Sequence, residues 1–195
     1  MKVLASLKPY YYYLIGEKIK TLEIRKTKLK NLPQDVLFYM SKDEKSFAKI
    51  PKEFQEKYRK HFGKVGMEFT CDKVDEYKFH EGLTEFNSMG LPSRIYGSYL
   101  IFADEYKAMC LSYDEVKNYG KGRTLYGWHI SDLKIYDKPK ELSEFITARE
   151  KDFCDECGVA WESWNGDWHC TQKHCDGYHL SRPPQSYMFV EEVEQ

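Results

Sequence analysis

The chain contains no apolar run approaching the ~20 residues a membrane-spanning helix needs, which excludes a helical membrane protein. No glycine-rich phosphate loop follows any of its strand-like segments, and regular long helices do not separate them, so a doubly wound nucleotide-binding sheet is not expected. It has no internal repeats and no low-complexity tracts, which removes solenoids and disordered linkers. A secretory signal is also missing. The opening MKVLASLKPYYYYLIGE has only a short apolar stretch, broken by Lys8 and Pro9, so a cytoplasmic protein is expected. Net charge is nearly absent as well, at −1 from 30 basic and 31 acidic side chains.

That near-neutrality hides an asymmetry. Residues 1–64 carry a balance of +9 and residues 65–195 one of −10. A basic first third suits an anion-binding face, and equally a solvated surface of mixed charge. Aromatic residues are abundant, with 16 Tyr and 11 Phe among 195 residues. Such residues pack sheets and cores, and they are also what a protein stacks on nucleic-acid bases.

The order of segments is legible from their periodicity. Residues 2–7 alternate as a first strand, and Pro9 opens a helix that Gly16 ends. Residues 20–25 read as a strand with Leu22 and Ile24 on one face and Thr21, Glu23 and Arg25 on the other. Residues 35–40 and 64–71 are further strands, and residues 42–61 look like an amphipathic helical insertion. Residues 80–95 are loop-like, and 96–103 fit a strand or a buried turn of helix. Ser112 with Glu115 three residues on marks a capped helix over 111–119. Residues 125–136 form a long strand or strand pair. Short strands with interspersed helices predict an α+β fold built on a small mixed barrel.

Four of the six cysteines fall within 22 residues, as Cys154-x2-Cys157 and Cys170-x4-Cys175. A Cys-x2-Cys turn points its backbone N–H groups at the sulfurs, and a second pair completes the tetrahedron of thiolates that Zn²⁺ favours. Trp161, Trp164 and Trp168 lie between the pairs and supply apolar bulk. His169, His174 and His179 stand close enough to replace a cysteine, and unliganded thiols or a redox pair are the alternative reading. Four protein ligands leave no open position, so the zinc would be structural. The expected division is a domain over residues 1–146 and a zinc-ribbon-like module over 147–195. Cys71 and Cys110 stand alone and read as small buried hydrophobes.

Residues 2–8 with Pro9, Gly16, and then Lys20-Thr21-x-Glu23-x-Arg25 resemble the opening of ASCH domains, which belong to the PUA-like β-barrels. Gly66-x-Glu68-Phe69 is similar to the next strand of that family. Leu111-Ser112-Tyr113, Tyr119, Gly127-Trp128-His129-Ile130 and the run from Tyr136 to Leu142 resemble versions from phages and prophages of low-GC Gram-positive bacteria. Those versions continue into a cysteine cluster and an Arg-Pro-Pro-Gln-Ser motif, matched here by residues 182–186. The resemblance covers about residues 1–146 and the tail. It implies RNA binding, or chemistry on RNA and nucleosides, including hydrolysis of an N4-acetylcytidine amide in some small members. In that amidohydrolase type the lysine matching Lys20 is catalytic, and a threonine nucleophile stands where this chain has Glu23. The departure argues against a threonine-based amidohydrolase.

Chemically, Lys20, Glu23 and Arg25 form a basic–acidic–basic cluster. Glu23 can accept from an exocyclic amine or orient a water, and Arg25 can clamp phosphate or pair with Glu23. His129 beside Trp128 offers a titratable group next to a stacking ring, or a buried, hydrogen-bonded core pair. Lys8 and Thr21 are placed at the same mouth. Three functions follow: an RNA- or nucleoside-binding module, a hydrolase using Lys20 and Glu23, and a phage accessory protein that binds a host protein. Surface ion pairing is the bland alternative for the charged cluster.

Overall fold

The computed structural model describes residues 1–86, 92–147, 161–164, 167–170, 180 and 182–192. The chain divides into two compact units, one made of Met1–Tyr12, Asp35–Glu68 and Lys134–Gln195, the other of Tyr13–Gln34 and Phe69–Leu133.

The first unit is built on a sheet whose strands run in the order Phe145–Thr147, Tyr187–Glu192, Lys2–Leu7, Gln34–Met40, Val65–Cys71 and Ser131–Lys140. Lys2–Leu7 lies parallel to Gln34–Met40 and antiparallel to Tyr187–Glu192. Both faces of these central strands are covered, which is why Val3, Leu4, Ala5, Val36, Leu37 and Phe38 form near-continuous buried runs instead of alternating. Leu4, Leu37, Tyr39, Val65, Phe145, Leu180 and Val190 make one core cluster. The end of the chain is part of this sheet. Leu180 donates its backbone N–H to the Phe145 carbonyl at 2.9 Å. Within the Arg-Pro-Pro-Gln-Ser motif, Pro184 accepts from the Ser6 hydroxyl at 2.8 Å.

The expected insertion over 42–61 consists of two helices, Glu44–Phe47 and Lys52–Arg59, the first capped by Asp43 accepting from the Ser46 backbone N–H. Tyr58 and the following His61 are buried against Tyr12, whose hydroxyl is 3.0 Å from His61 Nδ1. Gly66 makes this possible. A Cβ there would stand 2.0 Å from His61 Nδ1 and 2.7 Å from the Tyr12 hydroxyl.

The second unit contains a three-stranded antiparallel sheet in the order Leu22–Arg25, Leu125–His129, Val74–Tyr77. One face carries Leu22, Ile24, Tyr77 and Leu125, which pack with Tyr99, Met109 and Val116. Met109 ends the helix Ala103–Met109, and Val116 lies on the helix Tyr113–Gly120. The latter begins at Ser112, whose hydroxyl accepts from the Glu115 N–H as the sequence predicts.

Two expectations are corrected. The loop predicted over 80–95 is instead largely a hairpin of Phe79–Phe86 and Pro92–Tyr99, with register shifts between His80 and Leu83 and between Glu85 and Phe86. Such bulges break the period-two pattern by which a strand is recognised. The expected barrel is not closed either. Among the described residues the strands pair in separate sheets, none of which returns to its own first strand.

Candidate functional site

The charged cluster read from the sequence lies within the second unit, and it is buried. Lys20, Glu23 and Arg25 are 2%, 6% and 7% exposed. Arg25 Nε stands 3.1 Å from one Glu23 oxygen, and Lys20 Nζ stands 3.4 Å from the other. A surface ion pair is therefore the wrong description. Buried charges persist only when paired and hydrogen-bonded; here Glu23 is paired with both cations, and Lys20 is hydrogen-bonded as well.

Local structure explains how a lysine can be buried. After the helix Pro9–Gly16, the chain turns through Lys18 at φ 57°, and the backbone N–H groups of Ile19 and Lys20 both reach the Leu14 carbonyl. Thr21 then bridges, donating to the Ala108 carbonyl and accepting from the Ile130 N–H. This places Lys20 Nζ where it donates to the Leu22 carbonyl at 2.8 Å and to the Met109 carbonyl. With Glu23 these make three acceptors for the three N–H bonds of an ammonium. Burial pushes Lys20 below the ordinary lysine value, helped by Arg25 and opposed by Glu23 and Cys110. The surrounding groups can only accept, so the geometry calls for the protonated form.

Trp128 lies directly across from Glu23 in the strand register and Tyr126 across from Arg25, so these four share one face. Trp128 is 0% exposed. Its indole N–H donates to the Thr27 carbonyl at 3.2 Å, and the Arg25 guanidinium lies 5.5 Å from its ring centroid. It forms a wall behind the charged group, with no face open to a base.

His129 is on the other face. It pairs with Leu22, and its Nε2 is 2.6 Å from Asp75, which Lys73 also holds at 2.9 Å. The Asp75 carboxyl is pulled below its ordinary value by hydrogen bonds and charge from His129 and Lys73, against the opposing effect of burial, its largest single influence. Lys8 is exposed and belongs to the first unit. Thr21 is exposed, and its backbone ties the cluster to the Ala108 and Ile130 segments. Of the predicted residues the structure thus brings together Lys20, Glu23, Arg25 and Trp128. It separates His129 from them.

Sequence reading missed Tyr119 as a member. This residue of the helix Tyr113–Gly120 is 39% exposed, and Lys26 Nζ lies 4.6 Å from its ring centroid. Its phenol is raised above the usual tyrosine value mainly by burial, with Arg25 lowering it and Glu23 raising it. Periodicity gave no signal for this, because the contact joins segments about 90 residues apart.

Among the described residues no group of three or more His, Cys, Asp or Glu could hold a metal ion. Cys154, Cys157 and Cys175 lie outside the described residues. Cys170 ends the strand Asp167–Cys170, which pairs antiparallel with Trp161–Trp164 so that Cys170 is opposite Trp161.

The fold, with its mixed sheets and short helices, has known counterparts. The chain is similar to a crystal structure of a serine-to-alanine variant of an ASCH protein from Zymomonas mobilis, with 13% identity and a TM-score of 0.50 over 97% of this chain and 88% of that one. The crystal structure of the ASCH protein from Zymomonas mobilis itself gives 14% identity and a TM-score of 0.43 over 72% and 73%. A tyrosine-to-phenylalanine variant gives 12% and 0.43 over 72% and 76%. No protein-family model matches the sequence, and no curated protein matches it. The likeness establishes an ASCH-type α+β fold. No described helix is long and apolar enough to cross a membrane.

Proposed function

We propose that this protein is an ASCH-type, PUA-like RNA- or nucleoside-binding protein of the phage and prophage kind, with Glu23 as the recognition group. The observation that carries the reading is the Glu23 carboxylate, 6% exposed and clamped between Lys20 and Arg25. Each clamped oxygen keeps a further lone pair, so the carboxylate can accept one more hydrogen bond, the complement of an exocyclic amine or a ribose hydroxyl. The shared ASCH fold supports the same reading.

A hydrolase acting on RNA or a modified nucleoside is the second reading, and the Lys20–Glu23 contact is what favours it. Lys20 fits a catalytic base poorly, because its N–H bonds are directed at two carbonyls and a carboxylate. Its role is to hold Glu23 in place. Mass spectrometry of RNA and nucleosides before and after incubation separates the two readings. Binding alone leaves every mass unchanged with wild-type and Glu23→Gln protein. A new product mass that disappears with Glu23→Gln establishes the hydrolase. If zinc-replete protein neither binds nor converts RNA, the host-protein partner is the remaining function.

The tail is proposed to fold around one structural Zn²⁺ on Cys154, Cys157, Cys170 and Cys175. The paired strands Trp161–Trp164 and Asp167–Cys170 follow Cys157 in sequence, and the second ends on Cys170, the order of a zinc ribbon.

A further inference from the structure

Trp128 was the obvious stacking residue, and its burial removes it from that role. A nucleic-acid strand read by Glu23 needs another aromatic platform and a cationic track for its phosphates. Both are present in the second unit. Tyr119 meets Lys26, the residue after Arg25, and keeps substantial exposure, at 39%, whereas Tyr126, across from Arg25, is half-buried. The Tyr119 phenol senses both Glu23 and Arg25. On one side its helix is held by Val116 and by Gly120, where a Cβ would stand 1.9 Å from the Tyr99 hydroxyl. That close packing holds the helix backbone on either side of Tyr119.

The cationic track begins at the same residue. Lys26 reaches over the Tyr119 ring at 4.6 Å, and Lys28 and Lys30 follow it. All three are exposed, while Leu29 between them is buried and anchors the segment. No acidic residue occurs from Lys26 to Gln34. Lys28 stands 3.8 Å from Glu76, both being largely exposed, and such a contact is weak and readily exchanged for a phosphate. A cation over an exposed ring is held weakly too. An incoming nucleotide can take the ring face with its base and draw the Lys26 ammonium to its phosphate.

We propose that Tyr119 is the base-stacking residue of this protein and that Lys26, Lys28 and Lys30 hold the phosphates of a single-stranded RNA. This inference rests on the RNA-binding reading above, and it adds a surface that reading does not require. Tyr113 provides an internal control. It lies on the same helix at 36% exposure, and the cation over its ring is Lys117, at 5.7 Å, where Tyr119 has Lys26.

The test is fluorescence anisotropy with a labelled single-stranded RNA of about ten nucleotides, within the usual site size of such proteins. The same oligomer with abasic positions and the same sequence as a duplex serve as comparisons. Tyr119→Ala is expected to weaken binding about tenfold or more, and Tyr119→Phe to retain it. Tyr119→Leu keeps apolar bulk in case the alanine variant fails to fold, and it should bind like Tyr119→Ala. Lys26→Ala is expected to reduce the salt slope by about one. Wild-type protein should bind the abasic oligomer and the duplex more weakly than the intact single strand. Equal affinity for intact and abasic oligomers, or equal effects of Tyr119→Ala and Tyr113→Ala, overturns the assignment while leaving RNA binding in place. A preference for the duplex overturns it as well. No binding of any RNA by wild-type protein instead removes the reading on which it rests.

Discussion

Lys20 Nζ lies 3.4 Å from the Glu23 carboxylate; the Lys20 side chain is fully buried, and Glu23 keeps only an edge open to solvent. An ion pair in this setting is an all-or-nothing arrangement. Removing one partner leaves an uncompensated buried charge, which typically costs about 3–5 kcal/mol. Lys20→Ala is therefore expected to lower unfolding stability by that order, and Glu23→Ala by a similar amount, since it strands both Lys20 and Arg25. Urea denaturation of the single variants and of the double variant measures this. The double variant should lose less than the two single losses added together.

His61 makes stability depend on pH. Burial, aided by Lys60 and Lys57, lowers its pKa from 6.5 to about 4. The folded protein binds fewer protons than the unfolded chain between these values, so stability is complete above pH ~6.5 and falls as the pH drops toward 4. The loss should be on the order of 3 kcal/mol. Midpoints of denaturation followed across this window should shift for the wild type and flatten for His61→Phe.

Gly66 should tolerate nothing larger. With His61 Nδ1 only 2.0 Å from an added Cβ, Gly66→Ala must displace either the imidazole or the strand Val65–Cys71. The expected destabilisation is about 1–3 kcal/mol, read as a lowered denaturation midpoint. Gly66→Ala combined with His61→Ala should recover part of it.

How far the sequence revealed this arrangement depends on the range of the forces involved. Strands with clear patterns and a helix with a Ser112–Glu115 cap were legible because their determinants are local. The helix Ala103–Met109 was not. Its first N–H groups have no Ser, Thr or Asp before them; instead the Glu105 carboxylate folds back to accept from the Phe102 N–H at 2.8 Å. Within the site, Glu23 and Arg25 were correctly grouped, being two residues apart on one strand. Trp128 and His129 were grouped because they are adjacent in sequence, yet adjacency in a strand sends side chains to opposite faces. Whether the Lys20 ammonium was buried could not be read locally, since its Met109 partner is 89 positions away.

The tail offers a separate test. Purified protein is expected to carry one zinc per chain, lost with Cys154→Ser or Cys175→Ser and measured by elemental analysis. Thiol titration supplies a second readout. In the zinc form Cys110, half-buried, should react first and Cys71, buried, slowly. Burial also raises the Cys71 thiol to about 11, which slows its reaction further. Chelation should release four additional thiols. Six thiols reacting without chelator would exclude the metal.

The central claim is that Glu23, held by Lys20 and Arg25, recognises RNA. The most direct measurement is the equilibrium affinity of zinc-replete protein for single-stranded RNA across a salt series, for wild type and Glu23→Gln, each confirmed folded by its thermal transition. The expected result is wild-type binding that weakens linearly in log affinity against log salt, and a Glu23→Gln variant that binds more weakly at every salt concentration with an unchanged slope. Wild-type binding that is absent at low salt, or a Glu23→Gln protein that binds as tightly as wild type, would contradict it.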